Sequence, residues 1–166
     1  MSELIEKVVA SLEQDADFEQ IEDSICTAAD VLCRSVNNEY RSGFPEIDSQ
    51  EIGSEESQAL EQALVELINR SNDVRIKTSA IWALGKSNNP HYKDIYVEYL
   101  KESLQQLLVY NKAVFETLST LRQIDPETFI KQEKEDAANN SQEATTVDKE
   151  IRQAHQYLLA QNIYVA

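Results

Sequence analysis

The chain has 166 residues, of which 42% are hydrophobic and 27% are charged, with only three glycines and three prolines. So few turn-forming residues exclude a sheet-rich fold and favour an all-α protein of long helices joined by short loops. Thirty acids against fifteen bases give a net charge of −15, which argues against binding to nucleic acid or to an anionic membrane and favours a basic protein partner.

The negative charge is concentrated at the N-terminal end of the chain. Residues 1–60 hold fifteen acids and three bases, a net charge of −12, whereas residues 61–166 hold fifteen acids and twelve bases, a net charge of −3. Such a field speeds the encounter with a basic protein. A merely soluble surface remains the alternative interpretation of the same pattern.

The cysteines and the terminal sequence predict a cytoplasmic protein. Cys26 and Cys33 lie two turns apart on one predicted helix, which is too far for a disulfide. We expect both to be small buried core residues, and free thiols suit a reducing compartment. The N-terminal residues lack the basic and apolar pattern of a signal peptide, and no stretch approaches the ~20 apolar residues of a membrane span.

In chain order, apolar residues at the 3.6-residue spacing predict about seven to eight helices in a single all-α domain, 1–166. Residues 1–38 form an N-terminal helical pair, with Ser2 as the cap of the first helix. Asp17 and Gln20 form a capping box for the second helix. Residues 55–130 contain further helices, of which the first two cover about 55–71 and 73–90. Residues 131–146 are a polar surface excursion, either partly disordered or a solvated helix end, and 147–166 form a C-terminal helix.

Residues 39–54 are the longest segment predicted to be irregular. They interleave acids with large apolar side chains, and a purely solvated linker has little use for phenylalanine or isoleucine. Long ordered loops often carry function. We therefore predict a binding loop in which Tyr40 and Phe44 are aromatic anchors, with a mobile linker as the alternative.

The stretch from Asp73 to Pro90 is the most distinctive helix and contains the only tryptophan, Trp82. A shift of 37 residues places Ile81 on Leu118 and Leu84 on Leu121. The stretch resembles a HEAT-type repeat in six positions: Asp73, Arg75, Ala80, Ala83, Leu84 and Gly85. The resemblance covers about residues 55–125 and implies a short right-handed α-solenoid. A helical-hairpin bundle of similar helices is the alternative.

The sequence lacks catalytic, metal-binding and cofactor-binding motifs, so we predict no enzymatic activity, no metal and no cofactor. Neither His91 nor His155 lies near a serine or cysteine in a catalytic motif. The sequence contains no Cys-x-x-Cys or His-x-x-x-His pattern, and its glycines are isolated rather than grouped in a phosphate-binding loop. Adjacent carboxylates are expected by chance in a chain with thirty acids, so they favour a solvated face over a glycosidase-like pair.

A small, acidic, helical protein of this kind is similar to immunity proteins of bacterial toxin systems, several of which use short HEAT-like folds. The resemblance implies that the chain neutralises a cognate basic toxin by covering its active site with carboxylates. The toxin most expected is a nuclease. The alternatives are a HEAT-like scaffold that binds peptide segments and a HEAT-like lyase-type enzyme. The predicted partner-binding residues are Tyr40, Phe44, Glu46, Asp48, Glu51, Glu55 and Glu56, with Asp15, Asp17, Glu19, Glu22 and Asp23 as a second patch.

Overall fold

The computed structural model describes the backbone of residues 1–106, 111–138 and 146–164. Within these ranges the chain is helical and contains no strand, so the prediction of an all-α protein is confirmed. A 3-10 turn, Pro90–Tyr92, precedes the sixth α-helix. The α-helices of these ranges are α1 (Glu3–Glu13), α2 (Phe18–Val36), α3 (Pro45–Asp48), α4 (Ser54–Arg70), α5 (Val74–Gly85), α6 (Lys93–Gln105), α7 (Asn111–Ile124), α8 (Pro126–Ala138) and α9 (Thr146–Ala160).

The chain divides into two compact units, an N-terminal unit of Met1–Asn88 and a C-terminal unit of Asn89–Ala166. The N-terminal unit contains α1 to α5, and the C-terminal unit contains α6 to α9. Residues 1–88 carry eighteen acids and seven bases, a net charge of −11, and residues 89–166 carry twelve acids and eight bases, a net charge of −4. The prediction of one domain over residues 1–166 stays a prediction.

The first two helices begin where their capping residues predict. The Ser2 side chain accepts a hydrogen bond from the Ile5 N–H. Asp17 and Gln20 form the predicted capping box, in which each side chain accepts the backbone N–H of the other residue. Both caps satisfy donors that a helix start would otherwise leave without a partner.

In the N-terminal unit, α1 packs against α2 and α4, and α5 packs against α2 and α4. Arg70, the last residue of α4, donates to the Leu12 carbonyl near the end of α1 at 2.7 Å. The C-terminal ends of α1 and α4 therefore meet, so these two helices run in the same direction. The core between the helices is apolar, and its fully buried side chains include Ile5, Leu12, Ile21, Ile25, Leu32, Leu60, Leu64 and Leu84.

The C-terminal unit is built around α6, α7 and α9, with α8 against α7 and α9. Phe129 of α8 stacks on the buried ring of Tyr157 of α9, with ring centroids 4.9 Å apart. Buried hydroxyls at Ser103 and Thr117 donate to carbonyls one turn back in their own helices, so they are satisfied without a partner on another helix.

Helix α8 extends into the polar stretch that begins at residue 131. Residues 131–138 continue α8, as the alternative of a helix end for this stretch had it. The remainder of that stretch, 139–145, lies outside the described residues. Two apolar residues of this unit are largely exposed: Phe115 of α7 and Leu159 of α9 expose 47% and 51% of their surface.

The cysteines differ from expectation. Cys26 is exposed and Cys33 is half-buried, and both are free thiols. The buried stripe of α2 passes through Ile25 and Ala29, so Cys26, one residue after Ile25, turns about 100° away from the core. Of the described helices, none is long and apolar enough to cross a membrane.

Candidate functional site

The connection between α2 and α4, residues 37–53, is held against α2 by Arg34. Its guanidinium donates to the Tyr40 carbonyl at 2.8 Å and to the Gln50 carbonyl at 3.1 Å. These two acceptors lie near opposite ends of the connection. Because both bonds are charge-assisted, Arg34 closes the 37–53 connection as a loop with a defined shape.

Asp48 organises the inside of this loop. Its carboxylate accepts the Ser42 N–H at 2.8 Å, the Ser42 hydroxyl at 2.9 Å and the Gly43 N–H at 3.1 Å. The bond from the Ser42 N–H is the main cause that lowers the pKa of Asp48. Gly43 has φ +87°, a conformation that favours glycine. The predicted binding residue Asp48 therefore supports the loop from within.

The sequence predicted an irregular loop, but the loop contains the short helix α3. Pro45 occupies the first turn of α3, where the missing N–H costs nothing. Ile47 is buried against the unit, while Phe44, directly before α3, exposes 58% of its surface. The turn thus presents the Phe44 ring to solvent on a backbone fixed from both sides.

Tyr40, the other predicted anchor, is engaged within the unit. Its hydroxyl donates to the Asp30 carboxylate on α2 at 2.7 Å. This hydrogen bond, together with partial burial, raises the pKa of Tyr40 to about 12. The Tyr40 ring is half-buried, so Phe44 is the more accessible of the two aromatic residues.

The other predicted carboxylates of this region reach solvent. Glu46, Glu51 and Glu55 are exposed, and Glu56 is half-buried. Their side chains make no hydrogen bond or ion pair with the described part of the chain. Glu55 and Glu56 lie in the first turn of α4, where a negative charge is stabilised by the helix dipole, so that role is a structural alternative for them.

The second predicted patch divides into structural and free carboxylates. Asp17 caps α2, and Glu19 forms a 3.1 Å ion pair with Arg75 of α5. Asp15, Glu22 and Asp23 are exposed, and their carboxylates make no hydrogen bond or ion pair with the residues that the structure describes.

Arg75 joins the N-terminal ends of α2 and α5. Besides Glu19, it pairs with Asp73, the cap of α5, at 3.2 Å. Its guanidinium also lies over the Phe18 ring, 4.9 Å from the centroid. Arg75 therefore braces the turn before α5 and links it to the start of α2.

The two predicted patches lie at opposite ends of the N-terminal unit. The first, around α3 and the start of α4, is tied by Arg34 to the C-terminal end of α2. The second surrounds the N-terminal end of α2. Since α2 has 19 residues and a helix rises 1.5 Å per residue, roughly 25 Å of helix separates them. The two patches therefore do not form one compact site.

Sequence reasoning missed the residues that organise the loop, Arg34 and Asp30, because their partners lie in a different element. It also missed a polar cluster in the C-terminal unit. There Asp125 pairs with Lys93 at 3.1 Å and accepts hydrogen bonds from Thr128 and Tyr157. Burial alone would raise the pKa of Asp125, but these three partners outweigh it and hold the pKa below its ordinary value.

Groups of histidine, cysteine and acidic side chains that could hold a metal ion are absent from the part of the chain that the structure describes. His91 is exposed beside the Tyr92 ring, and His155 is half-buried. Comparison with protein-family models, with curated proteins and with solved structures finds no match. Any function therefore rests on the geometry and charge of this chain's own residues.

Proposed function

We propose that the chain is a non-catalytic, acidic protein-binding module that neutralises a cognate basic toxin, a nuclease, by covering its active site. The observation that carries the proposal is the set of free carboxylates on the N-terminal unit. Asp15, Glu22, Asp23, Glu46, Glu51, Glu55 and Glu56 have no internal partner among the described residues.

Three of the seven bases of the N-terminal unit are occupied by the backbone and do not neutralise these carboxylates. Arg34, Arg41 and Arg70 donate to backbone carbonyls. Their positive charges therefore hold the chain together without pairing with carboxylates. The net charge of −11 on residues 1–88 is then available to attract a basic surface and to speed association.

A nuclease is the favoured target because its cleft must be basic to bind phosphate groups. Carboxylates placed in that cleft would occupy the phosphate positions. A HEAT-like arrangement is part of the same proposal, and the parallel direction of α1 and α4, which belong to successive helical hairpins, supports it. A cytoplasmic location is proposed as well, and the free thiols of Cys26 and Cys33 support it.

The test is to capture partners of the full chain from its native lysate and to assay the captured protein for nuclease activity. The proposal expects one basic protein whose activity falls as the purified chain is added in stoichiometric amount. If no basic protein is recovered, or if its activity is unchanged by the chain, the proposal is wrong.

A charge-matched pair of variants identifies the interface. The first variant changes Glu46, Glu51, Glu55 and Glu56 to Gln, and the control changes Glu98, Glu116, Glu127 and Glu133 of the C-terminal unit to Gln. Both variants remove four negative charges. We expect the first to slow association and to flatten its dependence on salt, and the control to do neither.

The scaffold alternative is favoured by a different observation. Phe115, Ile130 and Leu159 expose about half of their surfaces on three helices of the C-terminal unit. An adaptor that binds peptide segments would use such apolar side chains. Capture of partners that share a linear segment, without inhibition of any enzyme, would favour this function over toxin neutralisation.

A further inference from the structure

Chain direction brings the exposed apolar side chains of the N-terminal unit to one end. The C-terminal ends of α1 and α4 meet through Arg70 and Leu12, so the N-terminal ends of both helices lie at the opposite end of the unit. Arg34 ties the 37–53 loop to the last turns of α2 at that opposite end. This end is called the loop end below.

The large hydrophobic side chains that the N-terminal unit exposes are Phe44 (58%), Met1 (52%) and Val36 (49%). Phe44 belongs to the loop, Val36 is the last residue of α2, and Met1 precedes the start of α1. All three therefore lie at the loop end, and none lies at the end where the second acidic patch is found.

The loop end presents Phe44 on a prepared backbone. Asp48 accepts hydrogen bonds from the two residues before Phe44, and Pro45 restricts the backbone directly after it. Arg34 binds carbonyls near both ends of the loop. Little conformational entropy would then be lost when a partner binds the ring, which is a condition for a strong aromatic anchor.

The charges around Phe44 define the chemistry of its partner. Glu46 and Glu51 are exposed within the same loop, and Glu55 follows in the first turn of α4. Residues 37–53 hold four acids and one base, the exposed Arg41, so a surface that receives the Phe44 ring meets a net negative charge and is favoured by cations around its apolar centre.

Resting on the proposed function, we propose that the loop end is the docking surface. Its occupant is a basic protein surface with an apolar centre that receives Phe44 and a rim of lysine or arginine that meets Glu46, Glu51 and Glu55. The ring then controls how long the complex lasts, and the carboxylates control how fast it forms.

The experiment uses two synthetic probes on the full chain. One is an amphipathic peptide with lysine and leucine at helical spacing, and the other is oligolysine of equal charge. Phe44→Ala is compared with Phe115→Ala, which removes an exposed phenylalanine from the C-terminal unit and serves as the matched control. Affinity and dissociation rate are measured at low and at physiological ionic strength.

We expect Phe44→Ala to weaken binding of the lysine–leucine peptide by about tenfold, through faster dissociation, and Phe115→Ala to leave it unchanged. Phe44→Leu, which keeps an apolar side chain, should retain most of the affinity, and Val36→Ser should cause a smaller loss. Binding of oligolysine should not respond to Phe44→Ala. An unchanged circular dichroism spectrum checks that each variant folds.

Equal effects of Phe44→Ala and Phe115→Ala, or an equal loss with both probes, would overturn the docking surface. So would a lysine–leucine peptide that binds no better than oligolysine. These failures are distinguishable from failure of the proposed function, which is judged separately by whether the chain inhibits the captured basic protein.

Discussion

The two units of the chain place their ion pairs differently. In the N-terminal unit, Arg34 and Arg70 bind backbone carbonyls, and the ion pairs of Lys7 and Arg75 lie largely at the surface. In the C-terminal unit, charges meet each other in partly buried positions, as between Asp125 and Lys93. The comparison indicates that an ion pair supports the interior of the C-terminal unit, whereas the exposed carboxylates of the N-terminal unit, Glu46, Glu51 and Glu55 among them, are expected to be dispensable for folding and available to the proposed partner.

The largest effect that the comparison predicts is that of Asp125→Ala. The variant leaves Lys93, Thr128 and the buried Tyr157 hydroxyl without their shared acceptor. We expect a loss of about 2–4 kcal/mol in the stability of the C-terminal unit. Hydrogen exchange of amides in α6 and α9 measures it, and amides of α1 and α2 should keep their protection. Glu127→Ala, at an exposed neighbour, is the control and should change little.

The same carboxylate predicts a pH dependence. The pKa of Asp125 is lower in the folded chain than its ordinary value of 3.8. Its contribution is therefore fully present well above pH 3.8 and is lost as the pH falls through the lower folded pKa. Acid unfolding of the C-terminal unit should show this loss in the wild type and not in Asp125→Asn. The same acid response in both proteins would contradict the assignment.

The next largest effect is expected for Arg34→Ala. The variant removes both bonds that hold the 37–53 loop, to the carbonyls of Tyr40 and Gln50. We expect a loss of about 1.5–3 kcal/mol, confined largely to the loop. Limited proteolysis should then cut the loop faster, while α4 and α5 stay resistant. Arg41→Ala is the matched control because Arg41 is exposed and donates to nearby carbonyls only.

A smaller effect is expected for Arg75→Ala. The residue pairs with Glu19 and Asp73 at the surface, where solvent and salt screen the interaction. Thermal unfolding should show a decrease well below that of Arg34→Ala, and added salt should reduce it further. A decrease as large as that of Arg34→Ala would mean that Arg75 supports the stacking of α5 on α2 beyond its ion pairs.

The smallest effect concerns the reactivity of Cys26. Partial burial, and then the negative charges of Glu22, Asp23 and Asp30, raise the pKa of its thiol. In the double variant Glu22→Gln and Asp23→Asn, we expect alkylation of Cys26 at mildly alkaline pH to speed up by about two- to threefold. Cys33 provides the internal control, since the pKa of its thiol is raised mainly by burial, and the charges that also act on it are those of Lys86 and Asp30.

The sequence predicted the features that depend on near neighbours. The Ser2 cap and the Asp17–Gln20 box were found because each joins residues three apart. By the same logic, the polar residues 131–138 carry no apolar period, so the sequence left a surface excursion and a helix end as alternatives for them.

The contacts between residues that are distant in the sequence could not be predicted from such local patterns. Arg34 binds a carbonyl 16 residues away, and Asp125 accepts a hydrogen bond from Tyr157, 32 residues away. Such contacts depend on how helices meet, which no local pattern specifies. The acids of the loop were predicted as one group, yet Asp48 turned inward because the backbone N–H groups of Ser42 and Gly43 needed an acceptor.

The clamp formed by Arg34 has a consequence for how the chain can diversify. Between the two carbonyls that it binds, Ile47 is buried and Asp48 supports the backbone, whereas the other side chains are mostly exposed. The exposed positions of that stretch, Phe44 and Glu46 among them, are therefore interchangeable without rebuilding the helices. A single framework of this kind can hold loops whose exposed surfaces differ in chemistry, while the buried Ile47 and the hydrogen bonds of Asp48 stay the same.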